Sequence, residues 1–281
     1  MRLTSLLLPL ALSAAPVAAK DAPRTESYGT DPKQNFLFTP AKGTQGPAPL
    51  VVFVHGGAWS EGSKENATGR YKAPHYTGEG YAFATLDYRL VPQVRVEDEA
   101  ADVAQALANI VHEAERLGVD RKRIVLMGHS AGAHLAALIG TDPSYLRAVG
   151  LEPASLAGVV LLDGAAYDVP RQMEQSGRFM RKRYDAAFGQ DPMRQRALSP
   201  VFHADASNAP RFLILHIDRD DGTAQSKELA EALSKAGTQV QIQGFADRGL
   251  LGHMRINRDL GDPAYAATPV ADTWLRETFG R

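Results

Sequence analysis

The stretch Gly128-His129-Ser130-Ala131-Gly132 decides the fold of this chain through its surroundings. An apolar run at 124–127 precedes it, and an alanine-rich helical pattern at 133–139 follows it. This order predicts a buried strand, a tight turn and a helix, with Ser130 at the tip of the turn. Glycines on both sides of the serine let strand and helix pass close to each other, and a serine held there exposes its hydroxyl for nucleophilic attack.

A second glycine-rich turn lies upstream, at His55-Gly56-Gly57-Ala58-Trp59, directly after the apolar run Leu50–Val54. The run predicts a buried strand, and the turn is of the kind that offers backbone N–H groups to a developing negative charge. We expect Gly57 and Ala58 of this turn to act as such donors, together with Ala131 after the serine. Gly56 is expected to form the turn.

The matching segments resemble α/β-hydrolases of the esterase/lipase group, which includes hormone-sensitive-lipase-like carboxylesterases and kynurenine formamidases. They are HGGAW at 55–59, LDYRL at 86–90, GHSAGAHLA at 128–136, the apolar strand and acid cluster at 211–221, and His253. These segments span most of the chain. The resemblance implies an α/β-hydrolase fold and a catalytic triad in the chain order Ser, Asp, His.

Carried onto this chain, the resemblance makes Ser130 the nucleophile and His253 the base that takes its proton. Of the eight histidines, only His253 follows the last strand predicted, where the third triad member of this fold arrives. It lies in a segment flanked by glycines, Gly249–His253, which is expected to be a loop.

The acid of the triad has several candidates. The family spacing counted from His216 points to Asp220, whereas Asp221 directly precedes Gly222 and the next helical pattern. Asp221 and Asp220 are both preferred over Asp218. Asp163, at the end of the strand after the elbow helix, is an outside candidate because some members of the fold carry the acid there.

Length and composition fit one α/β domain. The chain has 281 residues, a formal net charge of −1 and no cysteine. The missing cysteine excludes disulfides, thiol nucleophiles and cysteine-ligated metals, and the balanced charge favours neither nucleic acid nor an anionic membrane surface. The resemblance to the esterase/lipase group implies a small-molecule ester substrate and no metal or organic cofactor; the oligomeric state stays open.

The first residues read as a secretory signal peptide, 1–19. A charged start, a short apolar stretch at Leu6–Leu12 and the small residues before Lys20 are typical of one, with cleavage after Ala19. This predicts export to the periplasm or the medium. The alternative is an uncleaved N-terminal anchor. The apolar stretch is short for a membrane span and no second one follows, so stable insertion is not expected.

Beyond an N-terminal extension at 20–46, with a candidate edge strand at Asn35–Phe38, residues 47–281 alternate apolar strands with helical patterns. Such alternation predicts a mainly parallel central sheet with helices on both faces. One helix is predicted from Glu97 to Leu117, ended by Gly118.

An insertion at about 168–198 predicts a small helical cap over the site. Its cations Arg171, Arg178, Arg181, Lys182 and Arg183 fit either a lid for anionic substrates or an ordinary solvated helical face. Phe179 and Tyr184 are candidates for the substrate pocket because such pockets are mostly apolar. Trp59 either walls that pocket or simply packs.

The sequence thus predicts an exported serine hydrolase that cleaves small carboxylic esters through an acyl-enzyme intermediate. Within the enzyme class the alternatives are a formamidase or other amide hydrolase, and a polysaccharide deacylase. Outside it, the alternative is a catalytically silent α/β-hydrolase that serves as a binding module.

Overall fold

The computed structural model describes residues 22–205 and 207–280, which are built around one eight-stranded sheet. The signal peptide predicted at 1–19 lies outside the described residues. The strands are β1 (Arg24–Ser27), β2 (Asn35–Thr39), β3 (Ala48–Val54), β4 (Ala82–Leu86), β5 (Val119–His129), β6 (Gly158–Leu162), β7 (Arg211–Asp218) and β8 (Gln239–Arg248).

Strand order across the sheet is β1-β2-β4-β3-β5-β6-β7-β8. All pairings from β4 to β8 are parallel, whereas β1 and β2 form an antiparallel hairpin that joins the sheet on β4. The segment 35–38, predicted as an edge strand, therefore belongs to this hairpin. Because the central strands are parallel, their carboxyl ends lie along one edge of the sheet, where ligand sites of α/β proteins form.

Helices cover both faces of the sheet. They are α1 (Lys72–Gly78), α2 (Val96–His112), α3 (Ala114–Leu117), α4 (Ala131–Thr141), α5 (Pro143–Ala148), α6 (Val169–Gln175), α7 (Arg178–Phe188), α8 (Pro192–Ala197), α9 (Asp220–Lys235), α10 (Gly249–Asp259) and α11 (Ala267–Phe279). Alternate β3 residues enter two separate apolar clusters, Val52 on one side and Val51 and Phe53 on the other. The α/β fold class predicted from the sequence is confirmed.

The structure adds detail to two segments that were predicted to be helical. The helix predicted at 97–117 is two helices, α2 and α3, with a break at Glu113, and Gly118 ends α3 in the left-handed region at φ 72°. The insertion at 168–198 contains α6, α7 and α8. Within the described ranges, no helix is both long and apolar enough to cross a lipid bilayer.

The turn between β5 and α4 requires its glycines for steric reasons. A Cβ on Gly128 would lie 2.1 Å from the carbonyl oxygen of Gly132, and one on Gly132 would lie 2.2 Å from that of Val54. Real Cβ atoms do not approach backbone this closely, so any side chain at either position would push the elements apart. The paired glycines of the sequence motif thus allow α4 to start directly against β3 and β5.

We expect Gly132→Ala to destabilise the protein by about 1–3 kcal/mol, the usual cost of overpacking, because neither neighbouring backbone can retreat. Urea unfolding measures this. The matched control is Gly78→Ala, since a Cβ at Gly78 would meet nothing within 4 Å. Equal midpoints for the two variants would contradict the steric account of the turn.

Candidate active site

Ser130 occupies a strained position between β5 and α4. Its φ of 54° and ψ of −120° lie where side-chain-bearing residues are rare. Its backbone N–H donates to the carbonyl of Leu162 on the neighbouring strand β6 at 3.1 Å, while its own carbonyl accepts from the first turn of α4. The strand, the helix and β6 together hold this conformation, in which the hydroxyl lies within hydrogen-bond distance of His253.

His253 connects Ser130 to a buried carboxylate. Its Nε2 lies 3.0 Å from the Oγ of Ser130, and its Nδ1 lies 2.6 Å from Oδ2 of Asp163. Since a carboxylate accepts only, Nδ1–H donates to Asp163 and Nε2 is left to accept the hydroxyl proton of Ser130. The structure therefore brings together the predicted nucleophile and base, with Asp163 as the carboxylate that orients the base.

Asp163 lies directly after β6, is fully buried and has a φ of 42°. Its backbone N–H donates to the carbonyl of Leu215 at 2.7 Å, and its Oδ1 accepts from the N–H of Ile217 at 3.3 Å. Burial by itself would raise the pKa of this carboxyl, but the hydrogen bond from His253 and the charge of Arg219 outweigh it, so the pKa is lowered. Asp163 is therefore ionised at neutral pH.

The preference for Asp221 or Asp220 as the acid is corrected by this geometry. The loop after β7 is so short that α9 begins at Asp220, and both carboxylates fall in its first turn, where the helix dipole favours acidic residues. Asp221 accepts from the side chains of Arg219 and Gln172, at 3.3 and 3.2 Å. The carboxylate that meets His253 comes instead from the end of the adjacent strand β6.

The expected loop around His253 is also corrected, because the residue lies in α10. Gly249 begins this helix at φ 57°, and Gly252 permits close packing: a Cβ there would lie 2.9 Å from the carbonyl carbon of Asp247 and 3.1 Å from Ile217. Gly249 thus supplies the positive φ at which the helix begins, and Gly252 lets the helix pack closely against β7 and β8.

Two buried side chains that the sequence did not single out as functional anchor α10. Nε2–H of His129 donates to the carbonyl of His253 at 2.9 Å, and burial lowers the pKa of His129 well below its ordinary value, with further lowering from nearby positive charge. The Nζ of Lys72 donates to both oxygens of Asn257, one turn beyond His253, and to the carbonyl of Thr68. His253 is therefore fixed through its backbone as well as its ring.

The glycine-rich turn at 55–59 approaches Ser130 closely. A Cβ on Gly56 would lie 2.9 Å from the Cβ of Ser130, and Gly57 and Ala58 have φ values of 137° and 49°. Across the described chain, the backbone N–H groups of Gly57 and Ala58 make no hydrogen bond, and Ala131 opens α4, where N–H groups lack intrahelical partners. Among the described residues, none of the three predicted donors is thus committed to another backbone hydrogen bond, and their binding of an oxyanion stays a prediction.

Buried polar contacts with residues 88–91 hold the turn at 55–59 in place. The hydroxyl of Tyr88 donates to the carbonyl of His55 at 2.7 Å, and the two rings stack at 4.4 Å. The N–H of Val91 lies 2.9 Å from the carbonyl of Trp59 and 3.1 Å from Oε1 of Glu99. Tyr88 and Val91 therefore brace the turn that carries the predicted N–H donors.

Trp59 is buried and packs against aromatic side chains of α7. It is 2% exposed, its ring lies 4.7 Å from Phe188 and 5.8 Å from Tyr184, and its Nε1–H donates to Nδ1 of His134 at 3.2 Å. Tyr184 is buried as well, and burial raises its pKa to about 12. This cluster fastens α7 to the turn and to α4. Phe179 belongs to α7, but its side chain lies outside what the structure describes.

Several cap cations are paired with carboxylates, which favours the solvated-face interpretation. Arg181 binds Asp185 at 3.0 Å, Arg171 binds Glu228 at 2.9 Å, and Arg183 contacts Glu61. Among residues 22–205 and 207–280, no three His, Cys, Asp or Glu side chains converge as a metal site requires.

Residues 37–233 match the BD-FAE family. The chain belongs to this family. It is 32% identical over 237 residues to esterase LipC of Mycobacterium tuberculosis (80% of this chain, 58% of the relative). It is 36% identical over 238 residues to the isoprenylcysteine alpha-carbonyl methylesterase ICME of Arabidopsis thaliana (80% and 55%). The chain thus spans little more than half the length of these curated relatives.

Solved structures share the fold of this BD-FAE family member. Esterase 2 of Thermogutta terrifontis phosphonylated by sarin aligns with a TM-score of 0.74 at 23% identity, over 92% of this chain and 95% of that one. Esterase B of Lactobacillus Rhamnosis aligns with a TM-score of 0.72 at 21% identity, over 92% and 85%. At these identities the similarity establishes the α/β-hydrolase fold.

We expect Asp163→Asn to lower kcat for ester substrates by about 10⁴, the loss typical when a triad carboxylate becomes an amide and the histidine tautomer is wrong. Asp220→Asn is the control, and it should retain wild-type kcat because its carboxylate lies outside the Ser130–His253–Asp163 contacts. Steady-state kinetics on one ester compare the two. A greater loss in Asp220→Asn than in Asp163→Asn would reject this assignment.

Glu99, which accepts from the N–H of Val91, is expected to make the stability of the protein depend on pH. Burial, with the nearby carboxylates of Asp102, Asp98 and Glu97, raises its pKa to about 9 from 4.5, so the unfolded chain releases this proton at lower pH than the folded protein. Its contribution to the free energy of unfolding therefore falls as pH rises from about 4.5 to about 9.

Glu99→Gln keeps an oxygen that can accept from the N–H of Val91, and a glutamine has no proton to lose as pH rises. We expect it to match wild type near pH 4.5, and to exceed its stability at pH 8 by roughly 1 kcal/mol or more. Urea unfolding at both pH values gives the difference, with the exposed Glu115→Gln as control. A stability difference independent of pH would show that Glu99 is ionised in the folded protein.

Proposed function

We propose that this protein is a serine hydrolase that cleaves small carboxylic esters through an acyl-enzyme intermediate. The observation that carries the proposal is the continuous contact from Ser130 Oγ through His253 to Asp163, at 3.0 and 2.6 Å. The free N–H groups beside Ser130 and the similarity to proteins named as esterases support it.

Acylation begins when His253 Nε2 takes the hydroxyl proton as Ser130 Oγ attacks the ester carbonyl carbon. The carbonyl oxygen becomes an oxyanion and accepts from the N–H groups of Ala131, Gly57 and Ala58. One such donor is worth roughly 3 kcal/mol in the transition state of known serine hydrolases. Asp163 stays ionised throughout and stabilises the imidazolium of His253.

Collapse of the tetrahedral species expels the alcohol, which receives the proton from His253. Ser130 is then esterified by the acyl group. Water attacks this acyl-enzyme with His253 as base, and the carboxylic acid leaves with the Ser130 hydroxyl restored. Each half-reaction uses the same proton path and the same N–H donors, so no metal or cofactor enters the scheme.

A formamide or other amide substrate is the second candidate. The chain is 28% identical over 208 residues to kynurenine formamidase of Drosophila melanogaster, covering 72% of this chain and 66% of that protein. The same triad would serve, with an amine as the leaving group in place of the alcohol.

Polysaccharide deacylation stays a third possibility, because hydrolysis of acyl esters on a polysaccharide needs the same chemistry. A silent binding module would not require the strained Ser130 or its contact with His253.

Export is proposed from residues 1–19 alone. If the signal is cleaved, protein recovered from a periplasmic or culture fraction has an intact mass that begins at Lys20. A protein in the membrane fraction whose intact mass begins at Met1 would support the anchor alternative.

The test of the proposed activity is hydrolysis of p-nitrophenyl esters from acetate to octanoate by the wild type and by Ser130→Ala. We expect turnover by the wild type and background rates for the variant, because the variant lacks the oxygen that accepts the acyl group. A fluorophosphonate probe should label the wild type alone.

The outcomes separate the candidates. Probe labelling without ester turnover would favour a narrow amide or formamide specificity, to be measured with N-formyl aromatic amines. A folded wild type that neither binds the probe nor hydrolyses any ester would overturn the hydrolase proposal and favour the binding module.

A further inference from the structure

The guanidinium of Arg219 lies between two carboxylates. Its Nη2 lies 3.6 Å from Oδ2 of Asp163, the oxygen that His253 binds, and donates to the carbonyl of Gly164 at 3.1 Å. Its Nη1 donates to Oδ2 of Asp221 at 3.3 Å. Arg219 thus connects the buried carboxylate of the triad to an acid in the first turn of α9.

Asp221 is held in turn from the cap. Its Oδ2 accepts from Nε2 of Gln172 on α6 at 3.2 Å. The Oε1 of Gln172 accepts from Nε2 of Gln225 at 2.5 Å and from the N–H of Ala166 at 3.3 Å. Both glutamines are buried, so neither amide is free to turn toward water.

We infer that Arg219 is a positioning residue that holds Asp163 against His253, that Asp221 in the first turn of α9 holds Arg219 in place, and that Gln172 of the cap holds Asp221. The kinetic consequences rest on the proposed hydrolase function, whereas the geometric claim about Asp163 and His253 does not.

Asp163 needs such a partner because an ionised carboxylate without exposure to water is costly. The titratable groups that face it are His253 on α10, His129 at the end of β5, Tyr167 after β6, and Arg219 before α9. Burial keeps His129 and Tyr167 neutral. Of these four groups, Arg219 is therefore the one that carries a positive charge in every step of catalysis.

Asp221 has a complementary role. When His253 becomes an imidazolium, two cations surround the single charge of Asp163. The carboxylate of Asp221 on the far side of the guanidinium balances the second cation and keeps Arg219 from turning outward to solvent. Gln172 donates to Oδ2 beside Arg219, and the N–H of Gly222 donates to Oδ1 at 2.8 Å, so that both oxygens of this carboxylate are held.

The experiment compares Arg219→Gln, Arg219→Lys and Asp221→Asn with Asp220→Asn as the matched control from the same turn. For each we would measure kcat and KM against pH, and the downfield proton resonance of the His253 Nδ1–H in NMR spectra. The resonance reports the hydrogen bond to Asp163 without any substrate.

We expect Arg219→Gln to lower kcat about tenfold, the scale of one charge-assisted contact, with KM changed by less than about twofold. The acid limb of its kcat profile should move to higher pH, because the coupled Asp163–His253 pair binds a proton more readily without the neighbouring cation. Its His253 resonance should shift or broaden. Arg219→Lys should recover part of kcat and of the pH profile, and Asp221→Asn should lower kcat by a smaller factor.

Wild-type kcat, pH profile and resonance in Arg219→Gln would overturn the inference. A fall in Asp221→Asn as large as that of Asp163→Asn would also overturn it, because Asp221 would then be the acid itself. If Arg219→Gln does not fold, Arg219→Lys and Asp221→Asn decide by the same readouts. If the wild type hydrolyses no ester, the proposed function fails and the resonance alone judges the positioning role.

Discussion

The close approach of three backbone segments at Ser130 is the constraint on which the remaining site depends. Gly128 and Gly132 bring β5 and α4 together, and Gly56 brings the turn after β3 to within contact of the serine side chain. Because no Cβ stands between these segments, the side chain of Ser130 lies directly against the turn that carries the proposed N–H donors. The positive φ of Ser130 then follows from the geometry of the crossing.

These local constraints explain why much of the site could be predicted from the sequence. Glycines beside a serine, between an apolar strand and a helical pattern, leave few ways to fold, and the same holds for the turn at 55–59. His253 was found by its position after the last strand. None of these predictions needed a distance between remote segments.

The carboxylate that meets His253 could not be predicted, because its identity depends on a distance between segments that are remote in the sequence. Asp163 and Asp221 follow β6 and β7, which are neighbours in the sheet, so both carboxylates lie at the same edge. Which one meets His253 depends on where α10 is seated and on the backbone of Asp163, whose φ of 42° is not written in any local pattern. A carboxylate that ends a buried strand and is followed by glycine was the available signal.

The same ambiguity affects His253 and the cap. A glycine in a sequence often indicates a loop, because it can adopt a positive φ. Gly252 instead allows close helix packing, and only the positions of Asp247 and Ile217 in the folded chain show this. Trp59 of the turn after β3 was open to two interpretations, and Tyr184 of the cap was expected in the substrate pocket, because an aromatic residue can face either a core or a pocket. Their burial beside Phe188 shows the packing role; their place in a substrate pocket stays a prediction.

Electrostatics around Ser130 give the site one working proton path. Burial lowers the pKa of His55 and His129, and lowers that of His134 to about 4, so all three histidines of the two turns and α4 are neutral at physiological pH. Each is committed through a ring nitrogen to a backbone carbonyl. A protonated histidine at any of these positions would repel the imidazolium of His253, and a neutral histidine adds no such charge. The three therefore shape the backbone of the site, while the charges of Asp163 and Arg219 act on the one histidine that reaches the nucleophile.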